Sequence, residues 1–183
     1  PIIIGRDTRI SGQMLEAAVA AGICAAGTDV WLAGTIPTPA IAFLSRAHGA
    51  SAGVMISASH NPYEDNGIKL FGPGGYKLSE IQENEIEALT RNKTRTTDGE
   101  GGPIGGIYPL DGANQHYQRF LRQIMPEGFT LGGLHIVLDC ANGSTAHLAP
   151  DLFASWGART TVLFAGPNGT NINANCGSEH TET

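Results

Sequence analysis

A serine, a histidine and an asparagine stand together at positions 59–61 of this 183-residue chain, in Ser57-Ala58-Ser59-His60-Asn61-Pro62. The residues before them, Ala52-Gly53-Val54-Met55-Ile56, form an apolar run that predicts a buried strand. The polar residues therefore sit just past a strand end, where open parallel α/β sheets bind ligands. Lys69 follows in Asp65-Asn66-Gly67-Ile68-Lys69, and Arg6 and Arg9 lie in Gly5-Arg6-Asp7-Thr8-Arg9. A serine hydroxyl is a weak nucleophile that must be activated. Acyl transfer is poorly served, because Ser59 is not in a Gly-x-Ser-x-Gly elbow and neighbouring side chains of an extended loop, such as His60, point apart. Phosphoryl transfer asks instead for positioned cations, backbone N–H donors and usually a divalent metal. Lys69, Arg6 and Arg9 supply cations. They have a reason to be there, since a phosphorylated Ser59 would carry about −1.5 to −2 charge at neutral pH.

Each of these residues has a plainer reading. Ser59, His60 and Asn61 could simply bond the turn before Pro62. Arg6 and Arg9 could fix their own loop, for example by pairing Arg6 with Asp7. Asp139 stands alone at a predicted strand end and reads as structural. A magnesium ion would need a carboxylate cluster, and no Asp-x-Asp occurs in the chain.

The elements that must position these groups follow from periodicity. Strands are predicted over 2–4, 30–33 and 52–56. A helix with Ser11 as its cap runs between the first two, and a helix opening at Thr38-Pro39 runs to about His48 before the third. This β-α-β-α-β order makes parallel neighbours, so the loops at 5–9, 34–37 and 57–62 leave one sheet edge and converge. Beyond them come a short strand over 68–71 with a hairpin turn at 72–75, and a capping box, Ser79 with Gln82, that starts a helix to about Arg91. Residues 92–106 read as a polar, glycine-rich loop. A helix after Asp111 carries Tyr117, Phe120, Leu121 and Ile124 on one face. A second unit begins near Leu131, with strands over 135–138 and 160–164 and a helix from Ser144 to Trp156. It is too small for a core of its own.

Composition bounds the rest. The apolar fraction is 41% and the formal net charge is −6, which speaks against general nucleic-acid binding. No apolar stretch reaches the roughly 20 residues of a membrane span. Cys24, Cys140 and Cys176 are odd in number and lack Cys-x-x-Cys spacing, so neither a disulfide framework nor a zinc site is expected. Cys24 and Cys140 read as inert thiols, and the expected compartment is the reducing cytoplasm. The chain opens directly in a strand and closes on a polar stretch, which suggests a piece of a longer protein.

The serine loop at 57–62, with Asn66-Gly67-Ile68-Lys69, Gly5-Arg6-Asp7-Thr8-Arg9 with Ser11-Gly12, and Pro37-Thr38-Pro39, resembles the α-D-phosphohexomutase superfamily. Within it, the residues around Ser59 and Lys69 are most similar to the bacterial phosphoglucosamine mutase subgroup. So are Asp139-Cys140-Ala141-Asn142-Gly143-Ser144, Asn168-Gly169-Thr170-Asn171-Ile172-Asn173 and Cys176-Gly177-Ser178. The resemblance implies an α/β fold: a mixed, mostly parallel sheet sandwiched by helices over residues 1–130, then the start of a second, similar α/β domain over 131–183. It implies that Ser59 is phosphorylated, that Lys69 aids proton transfer and neutralises charge, and that His60 and Asn61 shape the loop and contact phosphate, beside Arg6 and Arg9. One Mg²⁺ ligand would be an oxygen of the Ser59 phosphate, with the aspartate ligands expected beyond Thr183. The implied partners are a hexosamine phosphate substrate, a sugar bisphosphate intermediate and the remaining domains of the parent chain. A homodimer is compatible with the resemblance, which leaves oligomeric state open. The alternatives are a phosphomannomutase or phosphoglucomutase of the same superfamily, and a noncatalytic sugar-phosphate-binding module. The piece alone is expected to be inactive.

Overall fold

The computed structural model describes residues 1–91 and 102–180. The loop expected over 92–106 therefore lies outside the described residues as far as 101, as do the last three residues of the polar tail.

Three apolar runs form parallel strands: β1 (Ile2–Arg6), β2 (Val30–Thr35) and β3 (Ala52–Ile56). Between them lie α1 (Ser11–Ala25) and α2 (Thr38–Ala47). β1 is central, pairing in parallel with β2 on one side and β3 on the other. Antiparallel β4 (Ile68–Phe71) flanks β3, and parallel β5 (Ile107–Pro109) flanks β2, giving the order β4-β3-β1-β2-β5. The sheet is thus mixed and mostly parallel, as expected. β5 escapes periodicity because it has only three residues and ends in proline, which edge strands tolerate.

A strand covered on both faces must be apolar where it is covered, and β1 is so from Ile2 to Gly5. Ile4 joins Val30, Val54 and Ile56 beneath Ala20 and Cys24 of α1. Ile3 and Met55 face Ala40, Ile41 and Leu44 of α2 on the opposite side. Burying each such aliphatic chain contributes roughly 1.5–3 kcal/mol. Close packing leaves no room for a side chain at Gly5, whose Cβ would stand 2.6 Å from both Ile36 and Ile41.

The remaining helices are α3 (Glu80–Arg91), α4 (Ala113–Gln123) and α5 (Ala149–Ser155). The expected capping box opens α3: Ser79 N donates to Gln82 Oε1 (3.2 Å) and Gln82 N to Ser79 Oγ (3.4 Å). Ser11, expected as a cap, has another task. Its hydroxyl accepts a 2.9 Å hydrogen bond from Asn66 Nδ2, and α1 starts without a side-chain cap. The second unit is a parallel pair, β6 (His135–Asp139) and β7 (Arg159–Leu163), crossed by α5. α5 is shorter than expected. Ala141 and Asn142 adopt positive φ, which breaks any helix there, and Pro150 sets the helical start. Leu148 and Leu152 of this unit extend the cluster under α2 and α4. Among the described residues no helix is long and apolar enough to cross a membrane.

α4 is fastened to α2 by aromatic contacts. Phe120 stacks on Phe43 with centroids 4.2 Å apart, and His48 Nε2 lies 3.2 Å from His116 Nδ1. Burial lowers the His48 pKa from 6.5, and the nearby His116 lowers it further. The folded state therefore favours neutral His48. Its contribution is complete above the ordinary value and shrinks as pH falls below it, because the unfolded chain then binds the proton more readily. Melting temperatures measured from pH 7.5 down to pH 5.5 are expected to drop, and His48→Gln is expected to flatten that slope.

Candidate active site

The site is organised by a buried guanidinium. Asp7 and Arg9 leave the end of β1 with side chains 3% and 0% exposed, and Arg9 Nε lies 2.9 Å from Asp7 Oδ2. Asp7 Oδ1 also accepts the Arg9 backbone N–H at 3.0 Å. The other four guanidinium hydrogens go to loop carbonyls. Nη1 donates to Pro62 O and to Asp65 O (3.1 Å), and Nη2 donates to Ser59 O (3.0 Å) and Asn61 O (2.9 Å). All five N–H donors are used. Arg9, expected to bind phosphate, has no donor left for one; the loop-fixing reading is the one its geometry supports.

Arg6 does not pair with Asp7. Its Nε contacts Glu16 Oε2 and its Nη1 contacts Thr35 Oγ1, both at 3.1 Å. It lines a smaller cavity of about 250 Å³ with Thr8 and Gln13, apart from the one that holds Ser59.

The loops after β1, β2 and β3 do converge, and the second unit completes their cleft. A cavity of about 390 Å³ is lined by Asp7, Thr38, Ser59 and His60 on one side and by Asp139, Ser144 and Asn173 on the other. Ser59 is exposed there with φ of +58°, a left-handed conformation that serine rarely adopts. Its backbone N–H donates to Ser57 Oγ at 3.1 Å. His60 is exposed at the same cleft and is not hydrogen-bonded to Ser59 among the described residues. Ser59 and His60 thus form no serine–histidine dyad. A Gly-x-Ser-x-Gly string does occur at Gly49-Ala50-Ser51-Ala52-Gly53, but it leads into β3 instead of leaving a strand.

Asn61 is bound within its loop, its Nδ2 donating to Asp65 Oδ2 at 3.1 Å. Lys69 lies on β4 opposite Met55, at the end of the sheet from which the serine loop leaves. It forms no ion pair among the described residues and does not line the cleft. The structure therefore brings Ser59 and His60 into one cavity, puts Asn61 and Arg9 behind it and leaves Arg6 and Lys69 outside its walls.

Several residues at this site were not predicted. Thr8 Oγ1 donates to Asn142 O of the second unit at 2.6 Å, and Asn173 Nδ2 donates to both Ser59 O and Asn61 O at 2.9 Å. Nothing local in the sequence marks these bonds, which join residues more than a hundred positions apart. Asp139 accepts Ala141 N at 2.8 Å and Gly177 N at 2.7 Å, a loop-organising role consistent with its structural reading. Cys140 and Cys176 are buried and free, and burial reinforced by Asp139 pushes both thiols up from their ordinary pKa. At the cleft the carboxylates are Asp7, committed to Arg9, and Asp139, committed to two backbone amides. No group of three metal-ligating side chains occurs among the described residues. These residues do not by themselves fit a divalent cation.

Removing Arg9 would strand the Asp7 carboxylate in the interior and take a donor from each of four loop carbonyls. Arg9→Met is expected to cost about 3–5 kcal/mol, read as a fall in the urea midpoint.

Comparison with known proteins agrees with this architecture. Residues 1–97 match the family described as phosphoglucomutase/phosphomannomutase, alpha/beta/alpha domain I. A phosphoglucosamine mutase of Desulforamulus reducens is 51% identical over 183 residues, which is 100% of this chain and 41% of that protein. A phosphoglucomutase/phosphomannomutase family protein of Burkholderia thailandensis superposes with a TM-score of 0.72 at 27% identity, covering 94% of this chain and 37% of that one. The N-acetylphosphoglucosamine mutase of Aspergillus fumigatus, solved with GlcNAc-6P and magnesium, shares the fold at 18% identity and a TM-score of 0.50, over 90% of this chain and 42% of that one. The chain spans about 40% of the length of the curated relatives it matches. With its sheet order, its serine loop and a family match over more than half its length, this chain belongs to the phosphoglucomutase/phosphomannomutase family.

Proposed function

We propose that this chain is the phosphoryl-carrying part of a phosphoglucosamine mutase, an isomerase that interconverts glucosamine 6-phosphate and glucosamine 1-phosphate. One observation carries the reading: Ser59 is an exposed hydroxyl held in a left-handed turn at a cleft between two units, on a loop braced from below by a buried arginine. Such a hydroxyl can reach a substrate phosphate without moving its backbone. Identity near one half to phosphoglucosamine mutases supports the amino sugar as substrate. In this reading residues 1–130 form the first domain and 131–183 open the second.

The chemistry balances as follows. The C1 hydroxyl of glucosamine 6-phosphate attacks phosphorus on phosphorylated Ser59. A new P–O bond to the sugar forms, the bond to Ser59 Oγ breaks, and the sugar's proton passes to the serine oxygen. The resulting bisphosphate then returns its other phosphoryl group to Ser59 by the reverse exchange, leaving glucosamine 1-phosphate. Lys69, with no ion-pair partner among the described residues, serves as the cation that offsets developing charge and assists the proton. His60 and Asn61 shape the turn and contact phosphate.

Mg²⁺ dependence belongs to this proposal. One ligand would be an oxygen of the Ser59 phosphate, and the carboxylates would come from outside these 183 residues. A reducing cytoplasm suits the three free, buried cysteines.

Intact mass spectrometry of the full-length protein is expected to find one phosphoryl group on Ser59 that glucosamine 6-phosphate discharges. Ser59→Ala is expected to abolish both the phosphoryl group and turnover; retained turnover would sink the reading. Lys69→Met is expected to lower kcat by about 10²–10⁴-fold, the range for loss of a proton-transfer group, while Ser59 still accepts phosphate. The 183 residues alone are expected to give no turnover with glucosamine 6-phosphate and Mg²⁺.

A further inference from the structure

We propose that Asn173, from the second unit, is a positioning residue that sets the attitude of the reactive serine. The inference rests on the reading that Ser59 carries the phosphoryl group. Asn173 lies 114 residues from Ser59 in sequence, yet its side-chain amide donates at 2.9 Å to Ser59 O and at 2.9 Å to Asn61 O. An amide NH₂ carries two hydrogens, one for each of these carbonyls. Arg9 donates to the same two oxygens. The Ser59–His60 and Asn61–Pro62 peptide units are thus gripped jointly by a group of the first unit and a group of the second.

The residue is itself held for this purpose. Asn173 has φ of +59°, a conformation that asparagine tolerates better than most side chains. Its backbone N–H donates to Ala141 O at 2.9 Å. Ala141 is fixed in turn by Asp139 Oδ1, whose other oxygen takes Gly177 N. A continuous run of hydrogen bonds therefore leads from Asp139 through Ala141 and Asn173 to the carbonyl of Ser59. A left-handed serine persists only where its surroundings over-determine it. Two donors on one carbonyl are such a restraint, and one of them belongs to the second unit. The hydroxyl of Ser59 is aimed correctly only while that unit is docked on the loop. Asn173 has no role in bond making, so its effect is on geometry and not on the chemistry of the groups that react.

The test uses the full-length protein with Asn173→Asp and Asn173→Gly. Aspartate keeps size and backbone tolerance but presents no hydrogens and sets negative charge against two carbonyls. Glycine keeps the left-handed backbone and deletes the side chain. Discharge of phosphorylated Ser59 by glucosamine 6-phosphate is followed in single turnovers and normalised to the phosphoserine present by intact mass. That normalisation removes any loss of folded protein from the comparison. Both variants are expected to slow discharge by about 10–100-fold, the scale of a misplacement near 1 Å, with KM little changed. Discharge at the wild-type rate per phosphoserine would overturn the proposal. The two readings fail separately: activity in Ser59→Ala sinks the phosphoserine itself, whereas a dead Ser59→Ala beside normal Asn173 variants sinks only the role of Asn173.

Discussion

One buried guanidinium decides the shape of the reactive loop. Carbonyl oxygens that turn inward, away from water, need donors. In the serine loop four of them converge on one point, and Arg9 donates to all four while Asp7 balances its charge. A buried ion pair of this kind adds little net stability, since desolvation offsets attraction. Its value lies in geometry. The planar fork accepts one arrangement of the four carbonyls, and that arrangement puts Ser59 in its left-handed turn. Lysine, a point charge without a fork, could not do the same.

From that constraint the division of labour follows. The sheet supplies a rigid edge, because β1 lies between β2 and β3 and is covered on both faces. The loops after β1, β2 and β3 leave one sheet edge and form one wall of a crevice, with Arg9 tying the first loop to the third. The second unit closes the far side of that crevice with loops rather than with a sheet. Their positive-φ residues, Ala141, Asn142 and Asn173, turn the backbone sharply enough to present a carbonyl to Thr8 and an amide to the serine loop.

Much of the fold was legible in the sequence. The apolar runs of β1, β2 and β3 and the helical spacing between them specify a parallel sheet, and the Ser79–Gln82 capping box marks the start of α3. What escaped was short or ambiguous. β5 has three residues and a proline, and the turns over 141–148 carry composition that a helix would also accept. At the site, the convergence of loops was legible, since it follows from parallel connection alone. The partners were not. The chain's near neighbours suggested Arg6 with Asp7, whereas register and burial pair Arg9 with Asp7 and Arg6 with Glu16.

By itself the sequence determined which residues can do chemistry and which sheet edge they share, because residue type and strand order are local properties. Tertiary structure alone decided which cation faces the solvent and which is sealed inside. It also decided which asparagine grips the serine loop from 114 positions away. Hydrogen bonds between distant segments depend on how layers pack in three dimensions, and no periodicity along the chain encodes that.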